Sequence, residues 1–192
     1  MRTFPKLMVL LLVLLVGGCA GTSQYMRKAE PPTGPPPEKA LVYFMRPSGM
    51  GFAVHFQIWD GHQLIGLSQA KSYFAYPCDP GKRLFIGIAE NKRGVEADLE
   101  AGKSYYVLTQ VKMGAWKARM AFIPVTRGSE YWEKVEAYKK ELEFIEPNEE
   151  ELANWLAPRK AKAENELMNI ISYLNTPEGR QYVVTLSKDD GR

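Results

Sequence analysis

From residue 40 to about 125, apolar and polar side chains alternate in short runs separated by turn residues. Ala40–Arg46 is a β-branched and aromatic run closed by Pro47 and Gly49. Over residues 53–59, Val54, Phe56 and Ile58 fall on one face of a strand and His55, Gln57 and Trp59 on the other. Asp60-Gly61 is a strong hairpin signal, and residues 62–67 return from it. Residues 72–76 form a short aromatic strand before the turn set by Pro77, Pro80 and Gly81. Strands over 82–89 and 95–99 follow, separated by a turn at 91–94 and closed by Ala101-Gly102. The last pair, 105–113 and 116–124, flanks Gly114-Ala115, and Gly first in a two-residue loop suits a type II′ turn. Pairing outward from that turn puts Val107, Val111, Met113, Trp116, Ala118, Met120 and Phe122 on one face. Gln110, Lys112, Lys117 and Arg119 fall on the other, and a one-residue slip would mix the two sets. Short strands at this spacing predict an antiparallel β-sandwich or a small barrel.

After Gly128 the period changes to that of a helix. Ser129 can cap a helix whose stripe runs Tyr131, Val135, Tyr138, Leu142 and Ile145, stopped by Pro147. Asn148 with Glu151 reads as a capping box, and Leu152, Leu156, Ala163, Leu167, Ile170 and Leu174 continue one stripe. Pro158 should end or kink that second helix. Thr176-Pro177-Glu178 opens a last short segment, helix or strand, and residues 187–192 read as frayed. The predicted fold is mainly β with an α-helical tail of two to three amphipathic helices. Polar faces of both signs predict that these helices pack on their own domain rather than on a membrane surface.

The first residues bear on compartment. Arg2 and Lys6 precede an uninterrupted apolar run, residues 7–16. Ten residues reach roughly 15 Å, half of a hydrocarbon core, which fits a signal peptide and not a spanning helix. Val16-Gly17-Gly18-Cys19 resembles the lipobox of bacterial lipoproteins. That resemblance implies cleavage after residue 18, acylation of Cys19 and firm membrane attachment through two or three acyl chains. Ala20, in place of Asp, favours the outer membrane over inner-membrane retention. With Cys19 lipidated, Cys78 has no intramolecular partner and reads as a small packing residue. Residues 19–39 carry Pro31, Pro32, Pro35, Pro36 and Pro37 and read as an extended tether with a reach on the order of 60 Å. The predicted organisation is a signal peptide (1–18), that tether, a β-sandwich domain (40–125) and a helical extension (129–186).

Several motifs agree in order and spacing with one family. Ala40-Leu41-Val42-Tyr43-Phe44-Met45-Arg46-Pro47, Asp60-Gly61, Ile65-Gly66, Ser72-Tyr73-Phe74, Pro80-Gly81 and Ala101-Gly102-Lys103-Ser104-Tyr105-Tyr106 together resemble bacterial lipoproteins catalogued as a domain of unknown function. The resemblance covers roughly residues 38–125. It implies a membrane-anchored β-domain and brings no catalytic residues.

Composition narrows the function classes. The chain is 192 residues long, 45% hydrophobic and 24% charged, which excludes wholesale disorder. Removing Arg2 and Lys6 leaves 23 bases against 22 acids, net +1, without the footprint of general nucleic-acid binding. Lys112, Lys117 and Arg119, joined by Lys82-Arg83 and Lys92-Arg93, form a candidate anion-binding patch for lipid phosphates or acidic cell-wall groups. Basic side chains of this kind also keep exposed strands soluble. Phosphate-binding Gly loops, GxSxG, HExxH and CxxC are missing from the sequence. His55 and His62, the only histidines, would lie about two residue steps apart on the expected hairpin, too far to chelate one ion easily; a zinc site that also uses Asp60 is the alternative, and no metal or cofactor is expected. The resulting expectation is a non-enzymatic envelope lipoprotein that binds an envelope component or protein. The alternative is an envelope hydrolase or transferase using scattered residues such as Asp60, His62, Tyr73 and Cys78.

Overall fold

A computed structural model describes residues 23–113 and 118–192, apart from the side chains of Met113 and Ala118. In chain order the strands are β1 (Met26–Lys28), β2 (Ala40–Arg46), β3 (Phe56–Asp60), β4 (Gln63–Ser68), β5 (Ser72–Cys78), β6 (Gly81–Ile88), β7 (Lys92–Leu99), β8 (Ser104–Met113) and β9 (Ala118–Pro124). Then come α1 (Val135–Glu141), β10 (Glu143–Pro147), α2 (Glu149–Leu156), α3 (Lys160–Leu174), α4 (Pro177–Arg180) and β11 (Val183–Leu186). The strands form two sheets, ordered β1-β10-β5-β2-β8-β9 and β11-β7-β6-β3-β4, so the fold is a sandwich and not a closed barrel. Both sheets are mixed rather than antiparallel: β2 pairs β8, β10 pairs β5 and β11 pairs β7 in parallel. Each parallel partner returns only after a long excursion, the chain length that parallel pairing needs.

Each sheet is covered on both faces. Between the sheets, Phe44 stacks on Phe74 at 5.3 Å and meets Phe85 edge-on at 5.4 Å, with Val42, Ile58, Val95 and Val107 in the same core. On the outer face of the first sheet, Leu41, Tyr43, Met45, Tyr106 and Phe144 pack together with Val135 of α1. On the outer face of the second, Trp59 and Ile86 pack against Leu167, Ile170 and Leu174 of α3. Two-sided burial explains why β2 reads as an unbroken apolar run. The helical stripe of α3 thus packs on its own domain.

Several local expectations change. The β8–β9 ladder pairs Val111 with Met120 and Met113 with Ala118, so four residues connect the strands instead of two. A two-residue shift leaves the faces intact, and Val107, Val111, Met120 and Phe122 are buried as expected. In the β3–β4 hairpin Asp60 pairs with Gln63, so His62 sits in the loop behind Gly61 (φ 54°) instead of facing Trp59. The predicted helix over 131–145 shrinks to α1, and Ile145 belongs to β10. Phe144 joins the outer cluster and Ile145 the inner core, opposite faces of a strand. Asn148 precedes α2 as expected, but its side chain does not cap it. Pro158 lies in a 3₁₀ turn, Ala157–Arg159, that separates α2 from α3. The segment after Thr176 is both helix and strand, α4 then β11.

Both ends of the described chain are also folded in. Within the predicted tether, β1 pairs with β10 and Met26 is buried in the inner core. The supposedly frayed 187–192 segment is docked: the Arg192 backbone exchanges two hydrogen bonds with Ser104, and its guanidinium lies 4.3 Å over the Trp132 ring.

One buried side chain organises the end of the sandwich where β2 finishes. The Arg46 guanidinium donates to the carbonyls of Val54 (2.6 Å), Met50 and Gly51 (2.8 Å each) and Ser68 (3.4 Å), and lies 4.6 Å over the Phe56 ring. Gly51 adopts φ 62°, the left-handed conformation that turns its carbonyl inward. Burial lowers the Arg46 pKa from 12.5 to about 10, so the group stays charged at neutral pH. Among the described residues its acceptors are all backbone carbonyls. Arg46→Ala is therefore expected to destabilise the fold by about 3–5 kcal/mol, because charge-assisted bonds are lost and the carbonyls are stranded. For a chain of this size that lowers the melting temperature by about 10 °C or more. Arg46→Lys should not rescue it, since one ammonium cannot span four carbonyls. A melt within a degree or two of wild type would contradict this role.

Candidate functional site

The β6–β7 turn, the start of β9 and the flank of α3 enclose a groove of about 580 Å³ lined by Arg93, Arg119, Glu166, Asn169, Tyr173 and Tyr182. Asn91 fixes its geometry. The Asn91 side chain donates to the Met120 carbonyl (2.9 Å) and accepts from the Met120 amide (2.8 Å), joining the turn to β9. That brace sets Arg93 beside Arg119. The Arg93 guanidinium lies 4.5 Å over the Tyr182 ring and donates to the Lys92 carbonyl at 2.8 Å. Its pKa is lowered first by burial and further by the Arg119 charge. Tyr173 and Tyr182 stack with centroids 6.2 Å apart, and Lys92 pairs with Glu166 at 3.2 Å on the rim. Among the described residues neither Arg93 nor Arg119 pairs with a carboxylate. Two such guanidinia beside an aromatic wall form a recess suited to an anion, which can accept several N–H bonds while a flat group lies on the rings.

The structure splits the candidate basic patch. Lys112 stands across the ladder from Arg119 but does not line the groove, and Lys117 lies outside the described residues. Lys92 and Arg93 join Arg119, whereas Arg83 works at the opposite end of the sandwich. There it donates to Asp60 Oδ2 at 2.8 Å, an atom that also accepts from the Tyr76 hydroxyl at 3.2 Å. Sequence reasoning missed Tyr182 and Asn169 as groove residues, because neither carries a local signal beyond its place on α3 or after α4.

The residues of the enzymatic alternative come together only in part. Asp60 and Arg83 lie close enough to act electrostatically on the Cys78 thiol, but Asp60 is already bonded. Cys78 is the last residue of β5 rather than part of a turn, and it is 4% exposed and unpaired. Burial pushes its thiol from 9.0 up to about 11, against the opposing pull of Arg83. A thiol held protonated at neutral pH is a poor nucleophile. Tyr73 packs in the outer cluster and donates to the Lys139 carbonyl at 3.4 Å. His62 is exposed in its loop. His55 and His62 flank β3 at its two ends, farther apart than the sequence suggested, and burial followed by the Arg46 charge lowers the His55 pKa. Among the described residues no three His, Cys, Asp or Glu side chains are placed to hold a metal ion, and no helix is long and apolar enough to cross a membrane. Cys19 lies outside the described residues. No family model, curated protein or solved structure matches the chain.

The Cys78 thiol makes stability depend on alkaline pH. Because its folded pKa is the higher one, its contribution is complete below pH 9 and is lost as pH rises towards 11. The full effect is up to about 3 kcal/mol. Thermal melts of wild type should thus fall more steeply across that window than melts of Cys78→Ala. Parallel curves would show that the thiol is not held protonated by the fold.

Proposed function

We propose that this chain is a lipid-anchored lipoprotein of a bacterial cell envelope that works without catalysis, as a binding or structural module. Its leader pattern and Val16-Gly17-Gly18-Cys19 support attachment through Cys19, and Ala20 supports the outer membrane, facing the periplasm. The observation that carries the binding reading is the Arg93–Arg119 groove, whose guanidinia lie beside stacked tyrosines with no carboxylate bonded to either among the described residues. Its natural occupant is an anionic envelope component, bearing phosphate or carboxylate, or a protein presenting such a group. An envelope hydrolase or transferase built on Asp60, His62, Tyr73 and Cys78 is the weaker reading. Its carboxylate is held by Arg83 and Tyr76, and its thiol is the buried one.

Two measurements test the two halves. Cys19→Ser should abolish incorporation of radiolabelled fatty acid and release the chain from membranes; continued fractionation with membranes, with no label in wild type, contradicts the anchor. For the groove, crosslinked envelopes should yield partners that co-purify with wild type and are lost from the Arg93→Glu, Arg119→Glu double variant. An unchanged set of partners, from a variant that melts like wild type, removes the groove from consideration.

A further inference from the structure

We infer that the Arg46 end of the sandwich lies flat against the lipid leaflet that holds the Cys19 acyl chains, with Phe52 and Met50 inserted among its headgroups. This rests on the lipoprotein reading of Cys19.

The first observation is the exposure of a rigid apolar tip. Phe52 is 75% and Met50 52% exposed, yet the backbone between them is fixed by the two Arg46 bonds to the Met50 and Gly51 carbonyls. The loop is built to hold these side chains outward. The other large exposed apolar residues, Met168 and Tyr173, stand on α3, over the outer face of the second sheet.

The second observation is the short distance to the anchor. Ser23 is fastened to the body: its amide donates to Gln69 Oε1 at 3.4 Å. Gln69 belongs to the turn between β4 and β5, which is tied to the same end by the Lys71 amide donating to the Arg46 carbonyl at 2.9 Å. The Lys71 side chain runs beside Gly49, at the base of the Phe52 loop. Cys19 precedes Ser23 by four residues, so its Cα lies at most about 14 Å from that of Ser23. A stalk of 60 Å is thereby ruled out for a Cys19 anchor, because β1 takes up the middle of the predicted tether. The body must rest on the leaflet, and the apolar loop beside Ser23 is the part that gains most from contact with it.

Charge favours the same face. Lys71, Lys112 and Arg119 sit at this end, and among the described residues those three cations pair with no carboxylate. At the far end, Asp60, Asp79 and Asp98 are each matched by a cation, namely Arg83, Lys39 and Lys188. Unmatched cations around an apolar tip suit a leaflet carrying anionic headgroups.

The test uses the full chain, expressed with its leader and reconstituted into vesicles of phosphatidylethanolamine and phosphatidylglycerol. A nitroxide is placed at Phe52→Cys or, as a control, at Lys162→Cys on the exposed face of α3; buried Cys78 stays unmodified under native conditions. Intact mass reports acylation of Cys19. The label at position 52 should collide readily with oxygen and lose its collisions with a water-soluble nickel chelate, while the label at 162 should do the reverse. Equal access of the chelate to both labels, in a chain that carries the acyl mass and floats with the vesicles, overturns the orientation and leaves the anchor standing. A chain without the acyl mass overturns the lipoprotein reading, and this inference with it.

Discussion

The Arg46 guanidinium sits where β2 ends, between the two sheets, and its charge has to be solvated by the protein itself. Burying a cation costs several kcal/mol after relaxation, so the surroundings must return most of what water supplied. Here backbone dipoles do so: four carbonyls, from Met50, Gly51, Val54 and Ser68, aim at two nitrogens. Three of them belong to the excursion between β2 and β3, and the fourth ends β4. One side chain therefore decides the path of residues 47–55, closes the mouth of the inner core and ties the edge of the second sheet to the centre of the first. The His55 pKa is lowered first by burial at this end and further by the same positive charge.

The terminal segments are structural parts of both sheets. β1 and β10 complete one edge of the first sheet, β11 completes an edge of the second, and α3 covers what would be an open apolar face. A sheet buried on both faces needs such covering, because its outward residues are as apolar as its inward ones. Arg192 backbone bonds to Ser104 and the buried Asp190, which accepts from the Arg127 amide at 3.1 Å, pin the last turn. The same economy shortens the path to the N-terminal region, where β1 takes Met26–Lys28, just before the prolines, into the first sheet.

Much of this was readable in the sequence because strand alternation is local. The β3 and β8 faces came from period-two patterning, and a two-residue error in the β8–β9 loop did no harm to them. Residues 131–145 misled because Tyr131, Val135, Tyr138, Leu142 and Ile145 satisfy a helical spacing while the chain changes from helix to strand after Glu141. Parallel pairing, the docking of β1 and the burial of Arg46 all depend on partners far along the chain, and no local pattern carries them. The groove was half visible. Lys92-Arg93 and Arg119 were marked as basic, but only the Asn91 bonds to Met120 bring them together, and Tyr182 enters from a segment whose type the sequence left open.

Amide hydrogen exchange across the Arg46→Lys chain addresses the central role of that guanidinium most directly. Val54, whose amide donates to Gly51, and Lys71, whose amide donates to Arg46, report the two segments gathered at this end. If the buried guanidinium organises the end, residues 47–55 and 69–71 lose protection selectively, while the amides of β6 and β7 keep theirs. Unchanged protection in the 47–55 loop, in a variant that is otherwise folded, would contradict the account.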